Sequence, residues 1–246
     1  MVKVRSALVT VVVLLAVWEL IAWSLRLNVL PPPSTVLVVF ARELPGELGR
    51  HLLASTVRVL ISVALAVGLA TPLGLILGQS KALSGLFSPL VYILYPIPKI
   101  VFLPIVLLFL GIGDASKIFL ITLILWFQVL VVVRDQASNI RPELIHSVRS
   151  LGAGRRALFV FVYLPACLPA VLTALRVSVS TAIAVLFFTE SFATTSGLGY
   201  YIIVETWGRL DYAAMFAGVV AMSLLGLTLF FAVDALERWL CPWATN

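Results

Sequence analysis

The chain has 246 residues, of which 62% are hydrophobic and 11% charged, with a formal net charge of +6. Soluble domains carry about 25% charged residues, so this composition, with a mean hydropathy of +1.14, excludes an ordinary soluble protein and places the chain in a lipid bilayer. The basic surplus is spread over short loops between apolar runs, which reports membrane orientation and offers no nucleic-acid face; Cys167 and Cys241 show neither metal-ligand spacing nor a disulfide framework.

From the N-terminus, Lys3 and Arg5 precede an apolar run from Ala7 to Leu25 with one acid, Glu19. A signal peptide also begins this way, but the run approaches the roughly 20 residues of a span and exceeds the roughly 7–15 of a signal core. With Trp18 and Trp23 as interfacial anchors, it predicts an uncleaved first helix. Leu30-Pro-Pro-Pro-Ser34 interrupts regular helix, and the mixed stretch through Arg42, Glu43, Glu47 and Arg50 reads as an extracytoplasmic connection with room for a short surface helix. A second span is expected from Val57 to Leu77.

The region from Leu83 to Gly113 would make a helix of about 46 Å, too long for one ordinary crossing and too short for two with a turn. Pro96, Pro98 and Pro104 break it, and Lys99 interrupts it. A broken helix at membrane depth survives only where protein or a water-filled cavity covers the freed backbone groups, so this segment belongs in the bundle interior. Further spans are expected over Ala115 to Val133, Leu168 to Glu190 and Ala213 to Val233. Arg58 and Arg176 fall near span ends and read as snorkelling side chains.

Six crossings put both termini on one side. With the N-terminus inside, the cytoplasmic set holds Lys3, Arg5, Lys81, Arg134, Arg141, Arg149, Arg155, Arg156 and Arg238, against Arg26, Arg42, Arg50, Lys117 and Arg209 outside. The bias favours cytoplasmic N- and C-termini. Splitting the third region into two crossings would put the arginines that follow it outside, so one kinked span is expected there.

Arg141, Arg149, Arg155 and Arg156 belong to a basic island, Arg141 to Pro165, between two apolar regions. Glu143 to Leu151 is compatible with a helix whose Leu144, Val148 and Leu151 form one apolar stripe. Gly152 permits a left-handed turn, and a second helix can run from Arg155 toward Pro165. Spacing alone leaves two readings open, a knob that docks on a partner and a plain hairpin joining two spans.

The chain resembles the membrane-spanning permease subunit of bacterial binding-protein-dependent ABC importers, in the branch associated with nitrate, sulfonate and taurine uptake. The resemblance runs from Leu30-Pro-Pro-Pro-Ser34 through His51-Leu-Leu-Ala-Ser55, Pro72-Leu-Gly-Leu75, Pro96-Ile-Pro98, Phe109-Leu-Gly-Ile-Gly113 and Pro142-Glu-Leu144 to Gly197-Leu-Gly-Tyr200. Its most specific part is the island. The family signature is Glu-Ala-Ala, a glycine several residues on, and a Leu-Pro ending. Arg149-Ser150-Leu151-Gly152-Ala153 and Leu164-Pro165 match it, while the triplet falls on His146-Ser147-Val148, which keeps the register and loses the acid.

The resemblance implies an all-α polytopic membrane protein of about six transmembrane helices, a single domain over 1–246 with its core at roughly 51–236 and a cytoplasmic coupling loop at 134–165. Glu143, His146, Ser147, Val148, Arg149, Ser150, Leu151, Gly152, Ala153, Leu164 and Pro165 are its expected contacts with a separate cytoplasmic ATPase dimer, which holds the ATP and Mg. The chain itself is expected to be no enzyme, to bind no cofactor or metal, and to work in the inner membrane as a homodimer fed by an extracytoplasmic solute-binding protein. It contains no Gly-x-x-x-x-Gly-Lys-Ser/Thr run.

Lys99, Gln128, Thr189 and Glu190 are the candidate pathway residues. A buried ammonium costs on the order of 3 kcal/mol at a helix centre, so Lys99 needs a partner. An anionic solute, Glu190, and carbonyls freed by Pro98 and Pro104 all stand open. Glu190 with the Thr194–Gly199 loop reads equally as an outer gate or a plain loop. The expected solute is a small anion such as a sulfonate, taurine or nitrate, with an organic vitamin precursor or another neutral solute as the alternative. A stand-alone channel or secondary transporter lacks support from inverted repeats, and a membrane enzyme lacks a paired His/Glu ligand set, since His51 and His146 fall on opposite sides.

Overall fold

A computed structural model describes residues 4–192 and 194–244. Lys3 lies outside the described residues, as does the Arg5 side chain. Every regular element among the described residues is helical: α1 (Val4–Leu25), α2 (Pro33–Glu43), α3 (Glu47–Gln79), α4 (Lys81–Leu94), α5 (Leu103–Leu110), α6 (Asp114–Ser138), α7 (Pro142–Ser150), α8 (Arg155–Leu158), α9 (Leu164–Ser191), α10 (Leu198–Tyr200) and α11 (Tyr212–Leu240). Four helical stretches are long and apolar enough to cross a membrane, Glu47–Gln79, Asp114–Ser138, Arg155–Ser191 and Tyr212–Leu240. The pair α4 and Lys99–Leu110, bent by 78°, makes a possible fifth. The α1 helix is 22 residues long.

The chain forms two compact units, Met1–Thr56 with Phe187–Leu225, and Val57–Leu186 with Gly226–Asn246. In the first, Glu19 of α1 accepts hydrogen bonds from the Ser34 amide (3.0 Å), the Ser34 hydroxyl (2.7 Å) and the Trp23 indole (3.0 Å). Pro32 offers α2 no side-chain cap, so a carboxylate from the preceding helix satisfies an amide at its start. The single acid of the first apolar run is therefore a tether. Trp18 stacks at 5.5 Å on Phe216 of α11.

In the second unit α3 and α6 approach closely. A Cβ on Gly74 would overlap Val133, and one on Gly78 would overlap Ala137, so the Gly74-x-x-x-Gly78 step lets the two backbones meet as small residues do in membrane helix pairs. Leu75, Leu77, Leu130 and Val133 continue the contact into a core that includes Cys167 and Val171 of α9. A second cluster joins Leu175 and Val179 of α9 to Val233 of α11.

Several sequence expectations are corrected. The α3 helix starts at Glu47, so Glu47 and Arg50 belong to its first turn and not to a connection. Arg58 is 4% exposed and its guanidinium pairs with Asp114 (2.6 Å), while Arg176 pairs with Asp234 (3.4 Å) and Glu237. Each is held by acids on a neighbouring helix, Asp114 of α6 for Arg58 and Asp234 and Glu237 of α11 for Arg176, a pairing the snorkelling expectation did not include. Lys117, assigned to an outer loop, is 0% exposed and donates to the Ile112 (2.6 Å) and Gly113 (3.1 Å) carbonyls. Leu164-Pro165 ends no helix. The turn Phe159–Tyr163 is π-helical, and the Leu164 amide reaches five residues back to the Phe159 carbonyl. That wider turn absorbs the proline, which has no N–H to give, and the helix runs on to Ser191.

Candidate functional site

The basic island folds as a hairpin at the foot of α9. Pro142 opens α7 at a position where a missing N–H costs nothing, Glu143 lies at its positive end and Arg149 at its negative end. The helix closes on Gly152 at φ +84°, with the Gly152 amide on the Arg149 carbonyl (2.9 Å) and the Ala153 amide on Val148 (3.4 Å). This is a Schellman turn, and only a residue without a side chain adopts it freely. Leu144 and Val148 line a groove with Phe161, Val162, Pro165 and Trp243. They anchor α7 while Leu151, at the tip, is 85% exposed. Of the predicted apolar stripe, Val148 is half-buried, Leu144 borders the groove while 47% exposed, and Leu151 stands out as a knob. Glu143, His146, Ser147, Arg149, Ser150 and Gly152 are exposed, whereas Val148, Ala153, Leu164 and Pro165 are half-buried.

Lys99 and Gln128 come together at the break after α4. Pro98 has no N–H to return to the Leu94 carbonyl. That oxygen takes a turn bond from the Ile97 amide (3.3 Å) and a second from the Lys99 ammonium (2.7 Å), which also donates to the Tyr95 carbonyl at 2.6 Å. The ammonium sits 4.4 Å from the centroid of the Phe127 ring. Of the partners left open by the sequence, the freed carbonyls are thus the ones observed. Beside the ammonium is a cavity of about 410 Å³ lined by Lys99, Gln128, Phe127 and Thr181 among others.

Thr189 and Glu190 lie in the other unit and are fully buried there. The Ser55 hydroxyl reaches the Glu190 carboxylate at 2.7 and 2.9 Å, and the Gly199 amide donates to it at 3.1 Å. The Leu198 amide donates to Ser55 Oγ (2.8 Å) and the Gly197 amide to His51 Nδ1 (3.0 Å). Three successive amides of the loop are therefore held by His51, Ser55 and Glu190. Sequence reasoning gave His51 and Ser55 no role; their i, i+4 spacing on an apolar helix was the available signal.

The same fold brings Glu47, His51 and Glu205 together, with ligand atoms within 4.8 Å of one another. This corrects the expectation that no His/Glu set exists. A cation could bridge that spacing, but the Gly197 amide occupies Nδ1, so the neutral ring carries its proton on Nε2. Nε2 lies 3.1 Å from Glu205 and 3.9 Å from Glu47. His51 ties the loop through the Gly197 amide and turns Nε2 toward Glu205, an arrangement whose chemistry does not favour a metal.

The chain thus presents an exposed apolar side chain on a basic hairpin and a mostly apolar cavity at a broken helix. Residues 70–243 match the family model described as the binding-protein-dependent transport system inner membrane component. The chain is 31% identical over 250 residues to the taurine transport system permease protein TauC of Escherichia coli (strain K12), covering 98% of this chain and 90% of that protein. It is 29% identical over 231 residues to the formylaminopyrimidine transport permease protein ThiX of Halalkalibacterium halodurans, covering 94% and 92%. In fold it is similar to a chain of the MetNI methionine ABC transporter solved in inward-facing conformations, at a TM-score of 0.65 and 23% identity over 78% of this chain and 95% of that one. The chain belongs to the binding-protein-dependent ABC importer permeases: it is a multi-pass inner-membrane transport component whose nucleotide is bound by a separate ATPase subunit.

Proposed function

We propose that two copies of this chain form the solute pathway of an importer for a small sulfonate-, taurine- or nitrate-like solute. In this reading α1 and the bent α4 segment cross as well, making six, so that both termini and the basic hairpin face the cytoplasm, and the hairpin couples the pathway to the ATPase. Six spans make too small a bundle to enclose a path alone, which supports a pathway shared between two copies. The relative named for taurine transport supports the solute class, and the one named for formylaminopyrimidine transport keeps a vitamin-precursor-like solute as the second reading.

The observation that carries the coupling role is the exposed Leu151 held on the Gly152 turn. An apolar side chain presented at the tip of an anchored helix fits a groove in a partner, and a rigid turn transmits force. In the importer assembled with its ATPase and binding protein, Gly152→Val and Leu151→Glu are expected to abolish ATPase co-purification and uptake while the permease still folds. Survival of both activities in both variants would sink the assignment.

A further inference from the structure

The fold uses the hydrogen-bonding capacity of Lys99 internally. Two N–H groups go to the Leu94 and Tyr95 carbonyls and the charge rests on the Phe127 ring face. An anion in the cavity would have to draw the ammonium from carbonyls that have lost their helical donors. The cation closes the break in the chain.

Gln128 is in the opposite condition. Its Oε1 is buried and accepts no hydrogen bond among the described residues. It lines the same cavity. On α6, Ile124, Phe127 and Gln128 fall on one face at i, i+3 and i+4, and α9 sets Thr181 and Val185 at i and i+4. Apart from Lys99, Gln128, Thr181 and Tyr95 the lining is proline, aliphatic side chains and the Phe127 ring. The volume of about 410 Å³ falls in the range of small-molecule sites, about 300–1,000 Å³. A buried acceptor without a donor, in an apolar pocket, selects a ligand that brings one. The neighbouring ammonium repels a simple cation, so the donor must come on a neutral or zwitterionic molecule.

We infer that the Gln128 carboxamide, backed by the Thr181 hydroxyl, is a solute-recognition point in the pathway and takes an amino or amide N–H of a small neutral or zwitterionic organic solute, while Lys99 is a staple for the broken helix. The inference rests on the importer reading and narrows it. Aminosulfonates and aminopyrimidines pass, and nitrate and plain alkanesulfonates do not.

The test is ATP-driven uptake into proteoliposomes holding the permease, its ATPase and its binding protein, with taurine, a formylaminopyrimidine, ethanesulfonate and nitrate as probes. Uptake is expected only for probes bearing an N–H. Gln128→Leu should lower that uptake about tenfold while ATP hydrolysis stimulated by the binding protein stays within about twofold of wild type. If Gln128→Leu does not assemble, Gln128→Asn, which withdraws the carboxamide by one methylene, should show the same split. Lys99→Met should lower the yield of assembled complex and leave the choice among probes unchanged. Comparable uptake of ethanesulfonate or nitrate, uptake of none of the four, or undiminished uptake by the Gln128 variants would overturn the inference. A wild-type complex whose ATP hydrolysis does not respond to the binding protein would instead sink the importer reading.

Discussion

Replacing Gly197 by alanine tests the buried clasp around Glu190. Gly197 has φ 113° and ψ 162°, a region that is essentially glycine-only and costs other residues about 1–3 kcal/mol. An added Cβ would also overlap the Glu190 carboxyl carbon and both of its oxygens. The carboxylate cannot move without loosening its bonds from Ser55 and Gly199, and a hydrogen bond to a charged group contributes about 1.5–3 kcal/mol. The expected loss is at least about 3 kcal/mol, which for a chain of this size lowers the melting temperature by about 6–12 °C. A thiol-reactive dye makes a suitable reporter, because Cys167 and Cys241 are both buried and burial raises the Cys241 thiol above its ordinary range. Neither reacts readily until the fold opens. Gly68→Ala is the control: a Cβ there meets nothing within 4 Å, and alanine in a helix interior gains up to about 1 kcal/mol. A Gly197→Ala melt within about 2 °C of wild type would refute the placement of the carboxylate against the loop.

Two further outcomes follow from the charges. Arg176→Leu strands Asp234 and Glu237 between α9 and α11 and should cost about 3–5 kcal/mol, whereas adding Asp234→Asn and Glu237→Gln should recover most of the melting temperature; no recovery would show that the arginine acts through packing alone. In intact cells a membrane-impermeant maleimide should label Arg209→Cys, and should label Leu151→Cys only after permeabilisation, with the native buried thiols silent; the reverse pattern would invert the proposed orientation.

Helix type was legible because apolar runs long enough to span a bilayer have no other stable form, while the count was less so: six crossings were expected and four or five helical stretches meet the length and hydropathy of a span. The break at Pro96 to Pro98 was legible because proline has no N–H, and the Gly152 turn because only glycine closes it freely. The buried charges were not. Arg58 looks like a snorkelling residue until Asp114 is beside it, and Arg176 until Asp234 and Glu237 are. No local pattern connects residues so far apart in sequence. Pro165 misled for a different reason, since a π turn five residues wide accommodates what an α turn would not. Gly74-x-x-x-Gly78 was a readable sign of the α3 and α6 contact.

The 78° bend between α4 and the Lys99–Leu110 segment admits either one broken crossing or a loop that re-enters and returns. A returning loop would reverse every later span and place Arg141, Arg149, Arg155 and Arg156, all exposed, on the extracytoplasmic side. The burial of Lys117 sharpens the choice. With its ammonium on the Ile112 and Gly113 carbonyls, the turn into α6 exposes Asp114 and no basic residue, so the charge that opposed the island in that loop is gone. The bias therefore favours one bent crossing. A bent crossing leaves carbonyls without helical donors at membrane depth, where each unpaired group costs several kcal/mol. Lys99 donates to the Leu94 and Tyr95 carbonyls there, which is the carbonyl pairing that stood open beside an anionic solute in the sequence and which offsets that cost.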